Sequence, residues 1–135
     1  MFLLDTNVIS ELRRARPHGA VLVWLKELAG ADVNIAAATI GEIQSGIEIT
    51  RDSNPVRAEE LEKWLSQVSV AYNILSMDAA TFRIWARLMH KQQTHLHEDA
   101  LIAATALQNN LTIATRNTKD FKKFGVKLFN PFLTV

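Results

Sequence analysis

Apolar positions recur along this chain in two rhythms, short unbroken runs and helical spacings of three and four, and the two alternate from end to end. Met1 to Leu4 is a short apolar run that stops at Asp5, with helical residues following within a few positions. Residues 17 to 29 carry Val21, Trp24, Leu25 and Leu28 on one helical face. Val33 to Ala38 reads as a second buried strand, and Thr39 with Glu42 three residues on has the form of a capping box, predicting a helix from about Ile40 to Ile49. The turn around Arg51 to Asn54 has the weakest pattern.

Asn54 and Pro55 suit an N-cap and first helical position, opening a helix with Leu61, Trp64, Leu65 and Val68 on its core face. Tyr72 to Leu75 is a third strand. Asp78 caps the next helix, which repeats Phe82, Trp85, Ala86 and Met89 at core spacing. After the polar QQTHLHED comes ALIAATAL, apolar on all sides and therefore central. Leu111 to Ala114 and Val126 to Phe129 complete five strands. Strand and helix in repeated alternation predict an α/β fold, a three-layer α/β/α sandwich around a mostly parallel sheet, as one domain over residues 1–135 with no internal repeat or linker.

Composition narrows the function classes. Fifteen Lys and Arg against fourteen Asp and Glu give a net charge of +1, too even to hold a polyanion by a diffuse positive field. Local features or metal ions must supply any such attraction. Cysteine is absent, which excludes disulfides and cysteine-based zinc sites. The chain reaches Asp5 too early for a signal-peptide core, and no apolar stretch approaches the ~18 residues of a membrane span, so a soluble cytoplasmic protein is expected.

In open parallel sheets, ligands bind beyond the carboxyl ends of the strands. Asp5 ends the first strand, Glu42 lies in the first turn after the second, Asp99 opens the buried helix, and Asp120 follows the fourth strand after Thr115, Arg116 and Asn117. All four acids are expected at one sheet edge. Crowded carboxylates repel and raise one another's pKa unless a cation sits among them, and hard divalent ions with oxygen ligands are the natural partner. Such a site permits phosphodiester hydrolysis by a metal-activated water, and it attracts phosphate without a strongly basic protein. Arg13, Arg14 and Arg16, and the basic run from Arg116 through Lys119 to Lys127, lie where they can guide a strand.

Each acid taken alone has a plainer explanation. Asp5 and Asp99 suit helix N-termini, Glu42 completes a capping box, and Asp120 in TRNTKDF resembles a solvated turn residue. His95, His97 and Asp99 alternate as H-x-H-x-D, a spacing that sometimes binds Zn²⁺ or Mn²⁺ but in loops is more often incidental. The tryptophans and Met89 are most simply packing residues, and Lys119, Lys122 and Lys123 a solvated face.

LLDTNVISEL at 3 to 12, TIGEIQSGI at 39 to 47, EDALIAATAL at 98 to 107 and TIATRNTKDF at 112 to 121 together resemble the PIN-domain ribonucleases, specifically the VapC/FitB type of toxin from bacterial toxin-antitoxin pairs. The resemblance spans essentially the whole chain with its motifs in order. It implies an endoribonuclease using Mg²⁺ or Mn²⁺, with Asp5, Glu42, Asp99 and Asp120 as metal-binding acids and Thr6, Asn7, Thr115 and Asn117 as polar supports. It also implies a homodimer and a cognate VapB/FitA-like antitoxin. That antitoxin is a DNA-binding protein whose tail occupies the toxin's groove, so operator DNA is reached only through it. The segment before Asp99 departs from the family pattern, having QQTHLHE where a glycine-containing turn is usual. Of the neighbours Glu98 and Asp99, helix geometry turns one inward, and the motif selects Asp99.

Two other readings are open. A phosphatase with an aspartyl nucleophile on a similar sheet needs a D-x-D pattern, whereas the sequence here is Asp5-Thr6-Asn7; a trapped phosphoaspartate at Asp5 would identify it. A catalytically silent binding module in a DNA-bound complex would not need all four acids.

Overall fold

A computed structural model describes residues 1–28 and 30–133. Among the described residues, five strands, β1 (Phe2–Leu4), β2 (Val33–Ala36), β3 (Asn73–Leu75), β4 (Thr112–Ala114) and β5 (Leu128–Phe129), form one sheet in the order β3-β2-β1-β4-β5. Every pairing is parallel. The helices are α1 (Thr6–Glu11), α2 (Gly19–Glu27), α3 (Ala37–Ser53), α4 (Pro55–Ala71), α5 (Ala79–Met89), α6 (His97–Asn109) and α7 (Thr118–Phe121). No helix among these is long and apolar enough to cross a membrane.

The period-two alternation of strand side chains divides the core into two layers. Leu3, Ala36 and Ile113 face one side, where Ala100, Ile102, Ala103 and Ala106 of α6 pack with Phe121 and Trp85. Leu4, Val33, Ile35 and Ala114 face the other, against Val8 and Ile9 of α1, Val21 of α2 and Val68 of α4. The all-apolar ALIAATAL run is thus the helix that covers the sheet, and residues 102 to 106 are all buried. Asn34 stands inside an otherwise apolar strand because both ends of its amide are satisfied. Its Nδ2 donates to the Phe2 carbonyl at 3.1 Å and its Oδ1 accepts from Asn73 at 2.8 Å.

Three local expectations need correcting. The second strand stops at Ala36, and α3 starts at once and runs through the weakly patterned turn to Ser53. Thr39 and Glu42 form no capping box: the N-cap is Ala36, and the Thr39 hydroxyl is buried without a partner among the described residues. α6 opens at His97, so Asp99 is its third residue. Asn54 and Asp78 do cap α4 and α5, the latter reciprocally with Thr81. Position 29, the last of the predicted second helix, lies outside the described residues.

Candidate active site

The strand order reverses direction beside β1: the chain moves outward to β2 and β3, then returns to the other side as β4. The crevice beyond the carboxyl ends of β1 and β4 is the place where such sheets bind ligands. Asp5 stands at its floor, with its N–H donating to the Ala114 carbonyl at 3.0 Å. Its buried carboxylate caps α1 and receives three donors. Oδ1 accepts the Thr6 N–H at 2.8 Å, and Oδ2 accepts the Thr115 hydroxyl at 2.7 Å and the Asn7 amide at 3.3 Å. Asp5 thus caps α1 and at the same time stands in the crevice.

Around it the polar supports form a closed set. The Thr115 hydroxyl donates to Asp5 and accepts from Asn7 Nδ2 at 3.3 Å and from the Asn117 N–H at 2.9 Å, which uses its whole hydrogen-bonding capacity. Asn7 Oδ1 accepts the Arg116 N–H at 3.2 Å. Asn117 therefore contributes through its backbone. These bonds tie the loop after β1 to the loop after β4 and fix the direction of the Asp5 carboxylate.

Glu42 enters from α3, where Thr6 Oγ1 donates to its Oε2 at 2.9 Å. The side chain that the sequence pairs with Thr39 is thus engaged across the crevice instead. Asp99 enters from α6, beside the helix N-terminus, whose dipole favours negative charge. Asp120 on α7 is exposed but close enough to Asp5 and Asp99 to repel both.

The electrostatics record this crowding. Burial, then repulsion from Asp5, Asp120 and Glu98, pushes the Asp99 carboxyl up to about 6, with His95 pulling the other way. Burial also raises Asp5, against the Thr115 and Thr6 hydrogen bonds, and Asp120 adds to the rise. Glu42 is raised by burial, against its bond from Thr6, with Glu98 and Asp5 adding repulsion. The Glu98 carboxylate is therefore a neighbour of Glu42. Of the two adjacent acids at the start of α6, Asp99 is the half-buried one and is repelled by Asp5, while Glu98 is exposed and lies near enough to Glu42 to repel it.

Other side chains named from the sequence lie around this pocket. Arg13 lines a groove of about 310 Å³ that starts at Thr6 and Glu42 and continues between α3 and α4 past Ile43, Leu61 and Trp64. Arg116 places its guanidinium 3.9 Å over the Phe132 ring. Lys119 is exposed beside Asp120, and His95 and His97 are exposed. The buried Glu11 has no part in the pocket: it accepts the His18 N–H at 2.9 Å and pairs with Arg14 at 3.3 Å, holding the turn between α1 and α2.

Among the described residues, no three Asp, Glu or His side chains converge closely enough to enclose an ion by themselves. The donor chemistry fits a hard divalent cation all the same. The donors are carboxylate oxygens, those of Asp5 and Glu42 held by hydrogen bonds, whose proton affinity is raised by burial and then by mutual repulsion, and ions such as Mg²⁺ take one or two carboxylates and fill their remaining positions with water and phosphate oxygens.

Comparison with known proteins identifies the family. The PIN domain family model matches residues 2–127. Toxin FitB of Neisseria gonorrhoeae is 38% identical over 138 residues, covering 98% of this chain and 99% of that protein. The VapC ribonuclease Y4jK of Sinorhizobium fredii is 32% identical, covering 98% of each. The solved structure of FitAB bound to the IR36 DNA fragment superposes with a TM-score of 0.84 at 34% identity, over 100% of this chain and 98% of that one. The chain belongs to the PIN domain family, among its toxins of the VapC/FitB type.

Proposed function

We propose that the protein is a metal-dependent endoribonuclease that hydrolyses RNA phosphodiester bonds and serves as the toxin of a type II toxin-antitoxin pair. The observation that carries the reading is that Asp5, Glu42, Asp99 and Asp120 lie around the sheet's switch point within electrostatic reach of one another, with Asp99 raised to about 6 by burial and its neighbours' charge. Kinship with proteins named as a toxin and as a ribonuclease supports it.

Asp5 and Asp99 would hold the Mg²⁺ or Mn²⁺ directly, with Glu42 and Asp120 completing the negative environment. A bound divalent ion supplies an acidified water and charge stabilisation on the phosphate. The chain's own residues do the rest. Thr115, Asn7 and the Thr6 N–H fix the Asp5 carboxylate, and the Thr6 hydroxyl holds Glu42 toward the same crevice. Arg13 beside Glu42, with Arg116 and Lys119 on the opposite rim, would draw the phosphate backbone in. Removing a group that orients a metal ligand usually costs 10- to 100-fold. Thr115→Val, which deletes the donor to Asp5, is expected to reduce cleavage by about that factor while circular dichroism remains that of the wild type.

The partner would be a VapB/FitA-like antitoxin whose tail lies in the groove from Glu42 to Trp64, covering the acids. The toxin would act as a homodimer and reach operator DNA only through that partner, in keeping with the DNA-bound FitAB structure. Expression in a bacterial host tests the biological role. Growth arrest on induction, relieved by co-expression of the neighbouring gene and accompanied by new RNA 5′ ends, is expected. Unimpeded growth with intact RNA would count against it.

A further inference from the structure

The stretch 79–97, which comprises α5 and the turn into α6, contains Arg83, Arg87, Lys91 and three of the chain's four histidines, and not one Asp or Glu. None of its Arg or Lys side chains forms an ion pair among the described residues. Thr81 and Trp85 turn toward the core, leaving Phe82, Arg83, Ala86, Arg87 and His90 as one exposed stripe. Phe82 is 48% exposed although α5 has apolar surface to bury it against. It begins a row of rings. Its centroid is 6.3 Å from that of Trp85, edge to face, and Trp85 lies 5.0 Å from His97. His97 immediately precedes Glu98 and Asp99, so the row ends at the rim of the acid pocket.

Exposed rings interleaved with unpaired cations are what single-stranded nucleic acid requires, stacking for its bases and positive charge for its backbone. We infer that the exposed face of α5 is the enzyme's single-strand binding surface: Phe82 and His97 stack bases beside the scissile phosphate, and Arg83 and Arg87 track the backbone leading from it. The inference rests on the ribonuclease reading and names where its substrate lies. A second copy of the chain is the other occupant to consider for an exposed aromatic. The cations of the stripe and the lack of any Asp or Glu across 79–97 complement a polyanion, so charge complementarity favours RNA.

Phe82→Ala and Arg83→Glu/Arg87→Glu alter exposed side chains, so folding is expected to survive. Fluorescence anisotropy with a labelled single-stranded RNA, together with cleavage kinetics and sedimentation, tests the surface. Phe82→Ala is expected to weaken RNA binding about 5- to 100-fold, the range for losing one base–aromatic stack. The double reversal is expected to weaken it at least tenfold and to flatten the logarithmic salt dependence of binding by about 0.7 for each phosphate that is no longer neutralised. In both, KM should rise with kcat nearly unchanged. Wild-type RNA affinity and KM in both variants would overturn the surface and leave the ribonuclease reading standing. So would a change from dimer to monomer at unaltered RNA affinity. A wild-type protein that neither binds nor cuts RNA would overturn both.

Discussion

Asp99→Asn is expected to abolish RNA cleavage and, at neutral pH without divalent ions, to raise the melting temperature. A metal ligand in a charge-stabilising site contributes several kcal/mol to the transition state, so loss of activity on the order of a thousandfold or more is expected. The gain in stability follows from the cost of keeping this carboxylate charged, set first by burial and then by its acidic neighbours. Asp99 keeps its proton to about pH 6 in the folded protein, whereas in the unfolded chain it releases it near 3.8. Between those values folding takes up a proton, so stability falls as pH rises from about 4 to 6, and above that range the whole penalty is present. Asn carries no charge and escapes the penalty. The variant's advantage should accordingly vanish below about pH 4, and Mg²⁺ or Mn²⁺ should stabilise the wild type more at pH 7 than at pH 5. Thermal melts of both proteins across this range check the sign. A variant less stable than wild type at pH 7 without metal would show that burial and repulsion do not penalise the Asp99 charge.

Asp5→Asn should be equally inactive but respond oppositely in stability. Asp5 is also raised by burial, yet both its oxygens serve as acceptors for donors that tie two loops together. An amide has one acceptor end. If that end faces the Thr6 N–H, its NH₂ is set against the Asn7 amide, and a buried donor goes unpaired at a cost of about 1–3 kcal/mol. The hydrogen-bond loss outweighs the relief of charge because three donors converge on this one group. A melting temperature several degrees below that of Asp99→Asn, and below wild type, is expected from calorimetry. Equal stabilisation by both substitutions would mean that the Asp5 hydrogen bonds contribute little. The pair thus separates two carboxylates to which the proposal gives one role in binding but which have different roles in the fold.

Much of this site is legible in the sequence because of where the strands end. Asp5 closes an apolar run, and Asp99 heads a helix that is apolar on all sides, so topology places both at the same edge. Glu42 is harder to read. Its spacing from Thr39 imitates a capping box, and only the tertiary bond from Thr6, 36 residues earlier, shows its actual partner. Glu98 and Asp99 are adjacent in sequence, and local helix geometry separates their directions without revealing that α3 and the β1 edge lie along both. The α5 stripe is hidden for another reason. At core spacing Phe82 reads as a packing residue, and its exposure depends on how much of the helix Trp85 and Leu88 already seat against α6. The same limit applies to Thr115, whose importance comes from completing a hydrogen-bond set drawn from both sides of the switch point.

Cleavage of total bacterial RNA by the purified protein during a Mn²⁺ or Mg²⁺ titration tests the acid cluster most directly. Products that appear with added metal, saturate, vanish with chelator and never form with Asp99→Asn are predicted. Cleavage that persists undiminished in chelator, or in Asp99→Asn at every metal concentration, would contradict a metal site built on these four carboxylates.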